Sequence, residues 1–442
     1  MNRSVRGLSF VFLLVFLAAG LWGQTSFARE EEMIRRAGLY ENVEVRSAMA
    51  DAINAPFYSL LTRQKEIHSQ VLSPVAVEFE LRKSAESFYL LFKNERQYRY
   101  PVWGRGNYII KRDLRSGAFQ QIKIFIQNDE ESYIRLFPLG EGRSTLDMSL
   151  YGVPLYSGIV LPVSLEDLSV TSFTRIMFLT RGTIRWDQIL TDASYPEWRT
   201  AESLADEIRA TLPVLHQAVD GAQNREGDFV RIETGEPQEG AGGVNCSGFV
   251  KWVADGLYLT TPVSGGELID IERLKASTDD GSRTGNQWST ARQDRDPWFG
   301  LDWTRNLARI VQTAEGRRKE PGLRDLDVRS VPFFEYRDNI GYELGHLKTI
   351  LYLLAVEHPG DFYLGAVNSP FGKDPVLWQY HHVAVFFPWF TEGGDFRLAV
   401  METGTESSLE SLEGRYPGSF IHLVNMKALE AFVPPNTMEY TE

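Results

Sequence analysis

The sequence predicts an α+β protein: a β-rich sandwich or barrel-like domain, then a domain in which a cysteine-bearing helix precedes a sheet of three or four strands. Three observations carry that expectation. Between about residues 75 and 180, apolar and polar residues alternate in short runs broken by turn-formers, the period of half-buried strands. Past residue 200 the period becomes helical, with Leu204, Ile208, Leu212 and Leu215 on one stripe and Leu344, Leu347, Leu351 and Leu354 on another. After the second stripe come four apolar runs bounded by Gly, Pro and Asp: "GDFYLGAV" (360–367), "HHVAVFFPWF" (381–390), "FRLAVMETG" (396–404) and "SFIHLVNM" (419–426).

The first element is a targeting segment over residues 1–28. Arg3 and Arg6 precede an apolar run from about Leu8 to Trp22, and Ser26 and Ala28 occupy −3 and −1 of a cut after Ala28. That is the pattern of a cleaved secretory signal. The run is short for a spanning helix, and nothing later approaches the ~20 apolar residues a span needs. The expected location is secreted or periplasmic, with no stable membrane span after cleavage. In an oxidising compartment cysteines usually pair. This chain has one, Cys246, which is therefore either buried and inert or kept for its reactivity. The formal charge of −13 argues against nucleic acid as a partner.

Residues 29–195 form the N-terminal region. Its first part, to about Gln70, reads as helical and polar. "VAVEFELR", "SFYLLFKN", "NYIIKRD", "FQQIKIFIQN", "SYIRLFPLG", "GIVLPVSL" and "RIMFLTRG" read as strands, with turns at "KSAES", "RSGA" and "GEGRS". No motif in this region carries chemistry. The second domain, 196–442, opens on a helix for which Gly221 is a plausible stop. A segment at about 261–326, including "ASTDDGSRTGNQWSTARQDRDPWFGLDW", has no sustained period. Trp288, Trp298 and Trp303 argue against disorder, so it reads as an insertion that folds against the rest of its domain.

The chemistry concentrates in "NCSGFVKWVADGL". Asn245 is a good helix cap, and Phe249, Val250, Val253 and Leu257 give the helix a buried face. Cys246 then lies in the first turn, where the helix dipole is positive and favours a thiolate. A nucleophilic thiol also needs a base. Among the seven histidines only His381 and His382 sit together within a predicted strand, "YHHVAVFF". On a regular strand they face opposite ways, so one can face the cysteine helix.

"NCSGFVKW", "PGDFYLG" and "HHVAVFF" resemble, in the same order, three marks of the NlpC-type cell-wall cysteine peptidases. Those marks are an Asp-Cys-Ser-Gly-Phe/Leu-Val helix start, a Pro-Gly-Asp-Leu-Val-Phe strand and a His-Val-Gly-Ile-Tyr strand. The resemblance covers about Val244 to Val424, with a gap. It implies a permuted papain-like fold, with the cysteine helix packed on an antiparallel sheet. It implies Cys246 as nucleophile, His382 as general base with His381 outside the site, and backbone amides of Cys246 and Ser247 as oxyanion donors. The family's third polar residue falls on Glu402, whose carboxylate can accept from the imidazole Nδ1–H. The implied activity is hydrolysis of amide bonds in peptidoglycan stem peptides, with no metal or organic cofactor.

The sequence departs from the family in several places. Asn245 replaces the Asp before the cysteine, which keeps a cap and loses a charge. "ETGEPQEGAGG" has no aromatic residue where the family carries an oxyanion-assisting tyrosine. Cys246 and Asp361 lie 115 residues apart, with the tryptophan-rich insertion between them. Glu402 rests on strand register alone. These departures keep two other readings open: an acyltransferase or lipid-directed thiol hydrolase of the same fold, or a silent envelope-binding protein.

Overall fold

The computed structural model describes residues 28–283, 296–316, 321–371 and 377–435. The expected signal segment up to residue 27, and Trp288, lie outside the described residues. The chain forms two compact units. One runs to Ser194 and takes in Glu392–Asp395; the other comprises Tyr195–Thr391 and the chain from Phe396 on.

The first unit opens with a helical stretch over 28–36, followed by short helices α1 (Val43–Ala48), α2 (Ala50–Asn54) and α3 (Phe57–Leu60). Eight strands follow: β1 (Glu66–His68), β2 (Val77–Lys83), β3 (Ser87–Asn94), β4 (Tyr108–Asp113), β5 (Phe119–Phe125), β6 (Tyr133–Gly140), β7 (Arg143–Leu150) and β8 (Val153–Leu161). They form one antiparallel sheet in chain order, rather than two facing sheets. Alternation sets its faces: Tyr108, Ile110, Ile122, Ile124, Ile134 and Leu136 are at most 1% exposed. The unit is not all-β. "RIMFLTRG", expected as a strand, lies mostly in α5 (Phe173–Thr180), which follows α4 (Leu165–Ser169). The reason is local: Ser164 and Ser172 each cap a helix by accepting from the amide three residues on. The buried Arg46 pins these helices, donating to Asn42 and to the carbonyls of Ser169 and Thr171 while lying 3.6 Å from the Tyr108 ring centroid.

The second unit opens with α6 (Glu197–Thr211). It stops well before Gly221, because Pro213 has no N–H to continue the ladder and the chain tightens into a 3₁₀ turn over Leu212–Val214. A two-stranded ribbon, β9 (Ala222–Gln223) and β10 (Phe229–Val230), leads to α7 (Cys246–Tyr258). Then come α8 (Ile271–Leu274), α9 (Phe299–Ala314), β11 (Tyr342–Glu343) and α10 (Leu347–Glu357). The chain closes with β12 (Asp361–Phe371), β13 (Leu377–Phe390), β14 (Phe396–Glu402), β15 (Thr405–Ser407), α11 (Leu409–Arg415) and β16 (Phe420–Lys427). The sheet is antiparallel, in the order β11-β16-β12-β13-β14-β15. The protein is thus a mixed α+β structure. Among the described residues no helix is long and apolar enough to cross a membrane.

Much of the segment read as an irregular insertion is core. In α9, Leu301, Trp303, Leu307, Ala308 and Val311 are fully buried, and the helix packs against α7 and strands β12, β13 and β16. Arg305, also in α9, makes a two-pronged bond to Asp327 at 2.9 and 2.6 Å, and Asp327 meets the buried His422 of β16 at 3.4 Å.

Candidate active site

Cys246 opens α7. Asn245, in extended conformation, caps it: its side-chain oxygen accepts from the Gly248 amide at 2.9 Å and its carbonyl accepts from Phe249 at 2.8 Å. The N–H groups of Cys246 and Ser247 are then the first-turn donors without an acceptor among the described residues. Gly221 lies directly beneath, and its carbonyl accepts from Asn245 at 3.0 Å. A Cβ on Gly248 would stand 2.0 Å from that carbonyl oxygen, so only glycine lets the helix start seat this closely. On the other side, the buried Trp303 of α9 donates its indole N–H to the Ser247 carbonyl at 2.9 Å. The helix start is held from two directions.

The candidate base, His382, lies on β13, which is irregular at that point. Val367 of β12 pairs with His382 and Asn368 pairs with Tyr380, leaving His381 as an extra residue in a β-bulge. The bulge replaces the strict face-to-face alternation expected for the two histidines and re-aims the strand beside α7. His382 is hydrogen-bonded to the Cys246 thiol. Its Nε2 meets Glu402 Oε1 at 3.0 Å. The carboxylate is therefore on Nε2, not on Nδ1 as expected from sequence, and Nδ1 is the nitrogen left for the thiol. Glu402 is the last residue of β14 and is 4% exposed.

Two further residues complete the cluster, and sequence reasoning found neither. Arg415, at the end of α11, donates to both oxygens of Glu402. Tyr416, the next residue, stacks on His382 with ring centroids 5.6 Å apart and planes 18° apart. Arg and Tyr in a short helix following the last site strand give no sequence signal of which side chain turns inward.

The electrostatics follow from these contacts. Burial opposes ionisation of the Cys246 thiol, but the His382 hydrogen bond and charge, the Val383 amide and the Ser247 hydroxyl outweigh it and hold the pKa below its ordinary value. Burial would lower the His382 pKa, yet its contacts with Cys246 and Glu402 raise it to about 9. Burial likewise opposes the Glu402 charge, but His382 and Arg415 bring its pKa down to about 2. The arrangement sets a thiol of lowered pKa beside an imidazole of raised pKa, then a carboxylate, then a guanidinium, so that transfer of the thiol proton to His382 is favoured. Among the described residues no group of three or more His, Cys, Asp or Glu side chains is placed to hold a metal ion.

Residues 35–188 match the family model of a domain of unknown function, DUF8515. That stretch lies in the first unit and does not reach Cys246. No curated protein and no solved structure matches the chain.

Proposed function

We propose that the protein is a cysteine hydrolase of amide bonds, with a permuted papain-like second unit acting on peptide stems of the cell wall. The observation that carries the reading is the unbroken chain of polar contacts Cys246–His382–Glu402–Arg415 starting at a capped helix N-terminus. The substrate class rests on the three motif resemblances and on the expected export. The thiolate of Cys246 attacks the carbonyl carbon, and the oxygen takes the negative charge against the free amides of Cys246 and Ser247. The C–N bond then breaks as the His382 imidazolium gives its proton to the leaving amine. Water loses a proton to neutral His382 and attacks the thioester. Its collapse frees the acid and returns the ion pair.

The test has two arms. Alkylation of native protein by iodoacetamide should be faster than for a free thiol at neutral pH and should vanish in Cys246→Ser. Purified sacculi incubated with wild-type protein should release new amino groups, and Cys246→Ser should release none. Labelling that needs denaturant would restore the inert cysteine. Fast labelling with intact sacculi would move the substrate to the acyltransferase or lipid-directed class.

A further inference from the structure

The solvent-facing side of the first unit's sheet carries an arrangement that stability alone does not ask for. An antiparallel sheet with one buried face ordinarily presents polar residues on the other. Here Tyr89 and Leu91 of β3 and Ile109 of β4 lie on the outer face and, with Val102, line a cavity of about 370 Å³. That is within the range of small-ligand sites. Leu91 is only 2% exposed although it points away from the core. The polar part of the lining is Gln121 and four cations: Arg82, Lys83, Lys111 and Lys123. No acidic residue lines the cavity, in a chain whose net charge is −13.

The cations are not equivalent. Arg82 is matched by Glu80 at 2.8 and 3.1 Å. Lys123 donates to the Glu130 carbonyl at 2.9 Å and lies 3.7 Å from the Tyr133 ring centroid; Glu130, Asp129 and Glu131 act on it only at longer range, with no direct ion pair among the described residues. Directly opposite it across β5–β6 stands Arg135, whose buried Nε meets no acceptor among the described residues. Like charges placed opposite on neighbouring strands destabilise a sheet. Burial, and then Arg135, holds the Lys123 ammonium below its ordinary pKa. Lys111 completes the group from the next strand, and no carboxylate among the described residues pairs with it.

We infer that this cavity binds a small anion with an apolar body, such as an aryl or short acyl carboxylate, sulfonate or phosphate. The apolar part lies on Leu91, Ile109 and Tyr89, and the anionic group faces Lys111 and Lys123. The inference is independent of the thiol site.

The test titrates naphthalene-2-sulfonate into the full chain by calorimetry. One saturable site is expected. The uncharged 2-naphthalenemethanol should bind at least about tenfold more weakly. Raising salt from ~50 mM to ~500 mM should weaken the sulfonate severalfold, because the contact is between partly exposed charges. Lys111→Glu should lose at least about tenfold in affinity and Lys111→Gln less. Arg143→Glu, at an exposed hairpin ion pair in the same unit, should bind like wild type. Should Lys111→Glu fail to fold, the Lys111→Gln measurement still decides. Absence of saturable binding, equal affinity for the uncharged alcohol, or full affinity in both Lys111 variants overturns the inference. So does binding confined to anionic phospholipid vesicles, which would make the face a lipid surface.

Discussion

Glu402→Gln tests the candidate site at the link that controls its charge. The glutamine keeps the size of the side chain and can still accept from His382 through its amide oxygen, but it removes the negative charge. The magnitude follows from the geometry. Glu402 is 4% exposed, meets Nε2 at 3.0 Å, and has its pKa brought from an ordinary 4.5 to about 2 by His382 and Arg415 together. That drop corresponds to roughly 3 kcal/mol in favour of the carboxylate. With two partners sharing it, the part felt by His382 is on the order of 1–2 kcal/mol, roughly a tenfold change in the imidazolium equilibrium. In the variant, the imidazolium loses its proton at lower pH, and the thiolate, less well supported, forms at higher pH. The assay is thiolate absorbance near 240 nm against pH, with iodoacetamide rates at each point. Turnover should fall by roughly 10- to 100-fold and stay above the Cys246→Ser floor, because positioning and the oxyanion amides remain. Glu406→Gln is the control: that carboxylate bonds Arg209 at 2.6 Å on the surface, an exposed pair worth ~0–1 kcal/mol. A thiol titration unchanged by Glu402→Gln, or shifted equally by Glu406→Gln, would refute the assignment of the third residue.

Turnover should rise with pH as Cys246 ionises and fall again near pH 9 as His382 gives up its proton; a rate still climbing above pH 10 would contradict the ion pair. Arg415→Met should reduce the rate severalfold and move the falling limb above pH 9, since Glu402 then answers to His382 alone; a limb left in place would mark Arg415 as merely structural. Trp303→Phe removes the donor to the buried Ser247 carbonyl and should cost about 1–3 kcal/mol in denaturant unfolding, with little change in the thiol titration. Gly248→Ala places a methyl 2.0 Å from the Gly221 oxygen, so alkylation of Cys246 should slow and stability should fall by about 1–3 kcal/mol or more; wild-type values in both would show that the close approach is dispensable.

What the sequence disclosed follows the range of the forces involved. The Asn245 cap and the strand carrying His382 are local: one side chain against the next amides, and a two-residue period. Those signals survive without tertiary information. Helix α9 was less legible. Leu301, Leu307, Ala308 and Val311 keep a helical spacing, but the neighbouring run of Asp, Arg, Gly and Trp hides its start. "RIMFLTRG" was misread for the opposite reason, since a short apolar run fits strand or helix and only the Ser172 cap decides. The bulge at His381 depends on pairing with β12, and the inward turn of Arg415 depends on where β14 ends. Both are settled by partners distant in sequence, and neither leaves a periodic trace. The nitrogen that meets Glu402 is a matter of ring orientation, which strand register alone does not fix.

The lone cysteine posed a choice between packing and reactivity, and its surroundings bear on that choice. A cysteine kept for packing needs apolar neighbours, and burial raises its pKa. Cys246 instead has an imidazole, an amide and a hydroxyl around its sulfur, at the electropositive end of a helix. None of these improves apolar packing. Each would cost stability if left unsatisfied in a half-buried setting. The compensation is sequential: the sulfur partners the imidazole, the imidazole the carboxylate, and the carboxylate the guanidinium, whose side chain is 43% exposed. Charge is thus handed outward until it reaches water. Removing an inner link strands a charge where solvent cannot screen it, whereas removing Arg415 returns part of Glu402 to solvent. The order of severity expected among single substitutions is therefore His382→Ala above Glu402→Gln above Arg415→Met, in both turnover and the thiol titration. A buried structural cysteine with chance polar neighbours would show no such ranking.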